Sequence, residues 1–88
     1  MQSTWYVYLV RCADHSLYCG VTTDISRRVN EHNLDNKLAA KYTRTRRPVN
    51  LAYFEQYESR QAACRREYQI KQLTKLKKEQ LINSNPIK

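Results

Sequence analysis

Leu17-Tyr18-Cys19-Gly20-Val21 is the stretch that decides the fold, because it has the composition of a strand and contains Gly20, the only glycine in the chain. Inside a strand, a glycine loses more backbone entropy on folding than other residues and gives up a side chain that would pack. Such a glycine usually marks a bulge or a position that another backbone, a side chain or a ligand approaches closely. We therefore predict that Gly20 makes room for a neighbouring group and that a pocket lies beside it.

The segments on either side of this glycine predict a β-hairpin. Residues 5–13 (WYVYLVRCA) are largely apolar, β-branched or aromatic and show no helical period, which predicts a strand buried on both faces. Three residues of turn composition follow, and residues 17–23 predict the returning strand. If the loop has three residues, Tyr8 lies opposite Gly20 and diagonal to Tyr18 on one face. One more loop residue would put the two tyrosines on opposite faces.

The rest of the chain predicts three helices and a third strand, residues 49–57. The helices follow the N-caps Asp24, Ser59 and Thr74 and span residues 25–33, 60–73 and 75–82. Between them, residues 34–48 form a basic loop with one expected helical turn near residues 38–40. In the strand, Leu51 and Tyr53 are expected to share one face. A chain of 88 residues has room for one modest core. We expect one α/β (α+β) domain, residues 1–83, with a small, largely antiparallel three-stranded sheet flanked by helices, and a tail of residues 84–88.

Basic residues are concentrated in two segments. Residues 37–47 carry five basic and no acidic side chains, and residues 59–88 carry eight basic and two acidic ones. Such an uneven distribution favours a polyanionic partner, and no apolar run approaches the length of a membrane-spanning helix. We expect nucleic acid, not a membrane, as the partner. The predicted contacts are Lys41, Arg44, Arg46, Arg47, Lys71 and Lys75.

Cysteine usage predicts a reducing compartment. The three cysteines are an odd number without close pairwise spacing, and the N-terminus lacks a signal-peptide pattern. This pattern indicates reduced thiols rather than a zinc site. We expect a cytoplasmic protein.

Three further side chains have positions that suit phosphate chemistry. At helical spacing, His32 lies on the inner stripe of the first helix with Arg28 beside it, and Glu67 flanks the apolar stripe of a later helix. A glutamate is a hard oxygen ligand for Mg²⁺, and an arginine matches phosphate oxygens. A tyrosine hydroxyl transfers a proton when a nearby cation lowers its pKa.

These residues resemble the GIY-YIG nuclease family. Tyr6-Val7-Tyr8 looks like its first motif and Tyr18-Cys19-Gly20 like its second, although Tyr6 stands where the family has glycine. Arg28, His32 and Glu67 follow in the family's order and at compatible spacings, so the resemblance covers nearly the whole chain. The larger Tyr6 side chain is expected to narrow the pocket beside Tyr8.

The resemblance implies hydrolysis of DNA phosphodiester bonds with one Mg²⁺ or Mn²⁺ ion. It implies that Glu67 holds the metal, Arg28 contacts the scissile phosphate, and Tyr8 and Tyr18 position or activate water with help from His32. The similarity is to short stand-alone members related to the nuclease domains of excision-repair and branched-DNA enzymes. DNA repair or recombination is therefore the expected setting.

Two other functions stay open at this point. The altered first motif is compatible with a non-catalytic nucleic-acid-binding module that keeps the nuclease fold. The apolar edge formed by Leu76, Leu81 and Ile82 on the last helix is compatible with a domain that recruits a protein partner.

Overall fold

A computed structural model describes residues 4–85 and shows an antiparallel sheet between two layers of helix. The elements, in chain order, are β1 (Trp5–Arg11), β2 (Leu17–Thr22), α1 (Ile25–Leu34), α2 (Lys41–Arg44), β3 (Asn50–Tyr57), α3 (Arg60–Lys71) and α4 (Lys75–Ser84). The strand order is β2-β1-β3, and both pairings are antiparallel. The predicted fold class is therefore confirmed. Of the expected tail, residues 86–88 lie outside the described part of the chain.

The hairpin has the register in which Tyr8 lies directly opposite Gly20. Beyond Arg11 the backbone turns, and the Cys12 N–H donates to the Ser16 carbonyl at 2.8 Å, so the tip has three residues, 13–15, one position earlier than the predicted 14–16. The turn ends β1 two residues earlier than the sequence predicts. Tyr8 and Tyr18 therefore share one face of the sheet, as predicted for a three-residue loop.

All three predicted N-caps form. The side chains of Asp24, Ser59 and Thr74 accept hydrogen bonds from the backbone N–H of the third residue after each of them. These bonds satisfy N–H groups that have no partner inside the helix. They fix where α1, α3 and α4 begin.

The two faces of the sheet carry separate cores. On one face, α3 contributes Ala63 and Ile70 to a cluster with Val7, Leu9, Cys19 and Tyr53. On the other face, Tyr8, Val10, Cys12 and Val49 form a second cluster, with Val29 of α1 packed against it. Because β1 is central and covered on both sides, its interior residues are buried regardless of alternation.

A bulge in β3 corrects the predicted alternation of that strand. Tyr53 pairs with Leu9, whereas Leu51 pairs with Val10, so Ala52 is an extra residue. Leu51 therefore packs on the Tyr8 side, and Tyr53 packs on the α3 side. The expectation that Leu51 and Tyr53 share a face was wrong, because nothing in the local composition signals the bulge.

The single helical turn of the basic segment lies later than predicted. Asp35 Oδ1 accepts the N–H groups of Lys37 and Leu38, which forms a turn there in place of a helix. Ala40 is extended, and the helical turn α2 follows it. The prediction of a helical turn at residues 38–40 was therefore wrong, and the actual turn directs Thr43 inward, where it is fully buried.

The C-terminal helix is joined to the sheet on its inner side. Leu81 and Ile82 pack against the core of the α3 face, while Leu76 is 68% exposed. Arg11 of β1 forms a bidentate ion pair with Glu79, with both N···O distances 2.7 Å. Within residues 4–85, no helix combines the length and the apolar composition needed to cross a bilayer.

Candidate active site

Tyr8 and His32 form a buried hydrogen-bonded pair beneath the site. Tyr8 is 1% exposed in the middle of β1, and His32 is fully buried on the inner face of α1. The Tyr8 hydroxyl oxygen lies 2.8 Å from Nε2 of His32. Burial raises the pKa of Tyr8 above its usual value, while the nearby Arg28 guanidinium opposes that rise. Tyr8 is therefore a neutral phenol at pH 7.

His32 is held neutral and in one tautomer. Burial, and then the charge of Arg28, lowers the pKa of its imidazole to about 4. Nδ1 lies 2.9 Å from the Thr43 hydroxyl oxygen, and that hydroxyl donates to the Ala40 carbonyl at 3.0 Å. The Ala40 N–H approaches Nδ1 only at 3.4 Å. Because the single Thr43 hydroxyl hydrogen is directed to Ala40, we assign the Nδ1–H tautomer, in which Nε2 accepts from Tyr8.

Gly20 is required by the ring of Tyr8. A Cβ built on Gly20 would lie 2.6 Å from Cζ and 2.9 Å from Cε2 of that ring, and closer still to the hydroxyl oxygen. Its backbone has no positive φ, so the need for glycine is one of space rather than of conformation. This confirms the prediction that the glycine admits a neighbouring group, and the group is Tyr8.

Tyr18 lies beside this pair in a stack of rings. Its ring meets His32 edge to face at 5.4 Å and lies nearly parallel to the Tyr42 ring, with centroids 5.9 Å apart. The guanidinium carbon of Arg46 is 4.0 Å from the centroid of Tyr42. Tyr18 is half-buried, and its ring is held on two sides.

Arg28 is anchored within α1 and the following loop. Its Nη1 donates to Glu31 Oε1 at 2.9 Å and to the Leu38 carbonyl at 2.7 Å. The side chain is half-buried, whereas Arg27 is exposed, as helical spacing predicts. Arg28 therefore presents a fixed positive charge toward Tyr8.

A pocket of about 370 Å³ opens at the free edge of β2 and brings most of these side chains together. Its lining consists of Trp5, Tyr8, Tyr18, Gly20, Val21, Arg28, Arg60, Cys64 and Glu67. Because β2 is an edge strand, Glu67 on α3 and Arg28 on α1 reach the same pocket from opposite faces of the sheet. Two larger pockets, of about 490 and 430 Å³, contain none of the predicted catalytic residues.

Tyr6 does not line this pocket. Its ring lies edge to face against Phe54, with centroids 6.1 Å apart, and borders the separate pocket of about 490 Å³. The expectation that Tyr6 narrows the pocket beside Tyr8 was wrong. Tyr6 shares a face of β1 with Tyr8, but its ring packs against Phe54 of β3.

The sequence profile of the GIY-YIG catalytic domain matches residues 4–80. The chain belongs to the GIY-YIG nuclease family. It is 51% identical over 81 residues to a UPF0213 protein of Desulfotalea psychrophila, covering 92% of this chain and 73% of that one. It is 53% identical over 81 residues to a UPF0213 protein of Haloquadratum walsbyi, covering 92% and 89%.

Two solution NMR structures share the fold. A UPF0213 protein of Bacillus halodurans has a TM-score of 0.60 at 41% identity, over 93% of this chain and 85% of that one. A protein of E. faecalis has a TM-score of 0.63 at 40% identity, over 96% and 90%. The predicted family and fold are thus confirmed. The GIY-YIG family acts on nucleic acid, which is the class of partner that the excess of basic residues favours.

GIY-YIG nucleases generally depend on a divalent metal ion, and Glu67 is the residue here that fits one. Its side chain is 24% exposed within the pocket, and its Oε2 lies 3.4 Å from Lys71 Nζ. Within residues 4–85, no group of three or more His, Cys, Asp or Glu side chains exists that would enclose a metal. Mg²⁺ commonly binds through one or two carboxylates and completes its shell with water and substrate phosphate, so a single glutamate fits.

The six predicted nucleic-acid contacts differ in how their charges are used. Arg47 is engaged with the protein, because its guanidinium donates to the His32 carbonyl at 2.7 Å and to the Asn36 side chain at 2.8 Å. Arg46 donates to Asp14, and Lys75 donates to the His15 carbonyl. Lys41, Arg44 and Lys71 are exposed.

Two residues of the site escaped sequence reasoning. Thr43 fixes the tautomer of His32 from the basic loop, eleven residues away, and no local pattern signals that contact. Arg60 lines the pocket from the first turn of α3. Arg60 lies seven residues before Glu67, and this spacing predicts that both lie on one face of the helix.

Proposed function

We propose that this protein is a divalent-metal-dependent endonuclease that hydrolyses DNA phosphodiester bonds. The observation that carries the proposal is the convergence of Tyr8, Tyr18, Arg28 and Glu67, from four different elements, on one pocket. Membership of a nuclease family supports the reaction class. The excess of basic residues supports a polyanionic substrate.

Tyr8 and His32 would act as a proton relay. A water molecule that attacks phosphorus must lose a proton, and the Tyr8 hydroxyl oxygen is the acceptor in this proposal. As it accepts that proton, Tyr8 passes its own hydroxyl proton to Nε2 of His32, 2.8 Å away. Tyr8 thus remains a neutral phenol, as its burial favours, and the energetic cost of the step lies in protonating His32, whose pKa burial lowers to about 4.

Arg28 and Tyr18 would bind the scissile phosphate. The bonds from Arg28 to Glu31 and the Leu38 carbonyl fix its guanidinium before substrate arrives, so little reorganisation is needed as charge develops. Tyr18, held by ring stacking, would donate its hydroxyl to a phosphate oxygen or orient the water. A metal ion bound by Glu67, either Mg²⁺ or Mn²⁺, would supply Lewis acidity toward the phosphate.

The proposed setting is DNA repair or recombination in the cytoplasm, on structured or damaged duplex. The three cysteines are free thiols, in keeping with a reducing compartment. The alternative of a non-catalytic binding module rested in part on Tyr6, and that side chain lies outside the pocket. A protein-recruiting role for the last helix has less support, because Leu81 and Ile82 pack against the core.

The test is cleavage of a panel of duplex, single-stranded, flap and branched DNA by the wild type with Mg²⁺, Mn²⁺ or EDTA. We expect metal-dependent cutting that is lost in Arg28→Ala and Glu67→Ala, with folding retained. Salt-dependent binding without cutting of any substrate would contradict the endonuclease and favour the non-catalytic module. Cleavage by both variants at the wild-type rate would contradict the assignment of the site.

A further inference from the structure

Arg60 is a second arginine of the pocket, and it is used differently from Arg28. It is the first residue of α3, it is exposed, and it lines the pocket that holds Tyr8 and Glu67. Within the described residues 4–85, its guanidinium forms no hydrogen bond or ion pair with a protein group. The guanidinium lies over the ring of Trp5, with its central carbon 5.9 Å from the ring centroid.

The contact with Trp5 leaves the donors of Arg60 available. A guanidinium over an aromatic face is attracted through that face, while its N–H groups point outward in its own plane. Arg28, by contrast, uses Nη1 on Glu31 and on the Leu38 carbonyl. The pocket therefore has one guanidinium anchored by protein bonds and one that is supported but still able to bind an anion through two parallel N–H groups.

The position of Arg60 along α3 separates it from the metal-binding glutamate. Seven residues correspond to nearly two helical turns, so Arg60 and Glu67 lie on one face with their Cα atoms about 10 Å apart along the axis. Arg60 and Arg28 also come from opposite faces of the sheet. Two cations on separate walls of one pocket suit two anionic groups better than one.

We propose that Arg60 binds a phosphate adjacent to the scissile phosphodiester. The proposal rests on the proposed function and deepens it, because it names what the substrate must contain. A substrate with two consecutive phosphates engages both arginines, whereas an isolated phosphodiester engages Arg28 alone. Arg60 thus selects a phosphodiester within a polynucleotide chain over a small-molecule phosphodiester.

The experiment combines a protein variant with a substrate that lacks one charge. Arg60→Gln and Arg60→Lys are compared with Arg65→Gln, an exposed arginine on the same helix that does not line the pocket. The substrates are one labelled oligonucleotide and two copies with a single uncharged methylphosphonate at the phosphate on either side of the cleaved bond. Cleavage is measured as kcat and KM, and thermal unfolding of each variant reports any loss from the contact with Trp5.

We expect one of the two methylphosphonates to lower wild-type kcat/KM by about tenfold, which corresponds to the loss of one charge-assisted hydrogen bond. Arg60→Gln should lose a similar factor on the unmodified strand and little more on that modified strand, because both changes remove the same contact. Arg60→Lys should retain part of the affinity, since the charge remains without the planar fork. Arg65→Gln should respond to the methylphosphonate as the wild type does.

The proposal would be overturned if each methylphosphonate lowered kcat/KM by the same factor in Arg60→Gln as in the wild type. An Arg60→Gln enzyme that matches Arg65→Gln on every substrate would also overturn it. If the wild type binds DNA but cuts none, the endonuclease proposal fails by itself. The role of Arg60 as a phosphate contact is then decided by the dissociation constants of the wild type, Arg60→Gln and Arg65→Gln for the unmodified strand. Only Arg60→Gln should bind more weakly, with a salt slope smaller in magnitude by about one.

Discussion

Replacing Gly20 with alanine should destabilise the protein, although this change normally stabilises a strand. The added Cβ would lie 2.6 Å from Cζ of Tyr8, and the Tyr8 ring cannot withdraw because it is 1% exposed and bonded to His32. Overpacking of this kind costs about 1–3 kcal/mol. The lower entropy of the unfolded chain offsets about 0.4–1 kcal/mol of that cost, because the native φ suits alanine. The expected net loss in free energy of unfolding is about 0–2.6 kcal/mol, with a centre of about 1.3 kcal/mol.

Urea denaturation of Gly20→Ala measures this loss directly, and the midpoint of thermal unfolding should fall by about 4–8 °C for each kcal/mol. The matched test makes the same change in a Tyr8→Val background, where no ring occupies the space. There the added methyl group should be neutral or stabilising. Stabilisation of the wild type by Gly20→Ala, or an equal loss in both backgrounds, would refute the reasoning that the glycine exists for Tyr8.

Three further predictions concern the environment of His32. The folded-state pKa of His32, about 4, lies below the unfolded-state value, so the unfolded protein takes up the proton first as the pH decreases. We therefore expect the free energy of unfolding to decrease by about 2 kcal/mol from pH 7.5 to pH 5. His32→Gln should flatten that slope in urea titrations at each pH, and an unchanged slope would contradict the assignment. Thr43→Val should lower the free energy of unfolding by about 1–3 kcal/mol, because it leaves Nδ1–H of His32 without its acceptor, whereas Thr43→Ser should lower it much less. Equal losses in the two variants would refute the role of the hydroxyl. Arg47→Gln should cost about 1.5–3 kcal/mol because its guanidinium bonds the His32 carbonyl, while Arg44→Gln stays within about 0.5 kcal/mol; the reverse order would contradict the structure.

Local chemistry explains why much of the fold was predictable from the sequence. That Tyr8 and Gly20 share a face follows from the odd number of loop residues, although their direct pairing also requires the tip at residues 13–15. The helix starts follow from Asp24, Ser59 and Thr74. The inner position of His32 follows from helical spacing. Each of these inferences needs only residues close in sequence.

The features that escaped prediction depend on distant contacts. Thr43 reaches His32 across eleven residues, and Arg47 bonds the His32 carbonyl across fifteen. A count of charges treats Arg47 as a surface cation like Arg44. In the structure, however, the guanidinium N–H groups of Arg47 hold the basic loop against the end of α1. The bulge at Ala52 likewise depends on pairing with β1, which strand composition does not reveal.

The central claim is that side chains from both faces of the sheet act as one hydrolytic site at the edge of β2. The most direct measurement is the single-turnover cleavage rate of the preferred DNA substrate with Mg²⁺ or Mn²⁺, for wild type, Glu67→Gln and the control Glu58→Gln. Glu58 is exposed and does not line the pocket. We predict metal-dependent cleavage by the wild type and Glu58→Gln, and at least a hundredfold loss in Glu67→Gln with unchanged thermal stability. Cleavage by Glu67→Gln at the wild-type rate would contradict the account.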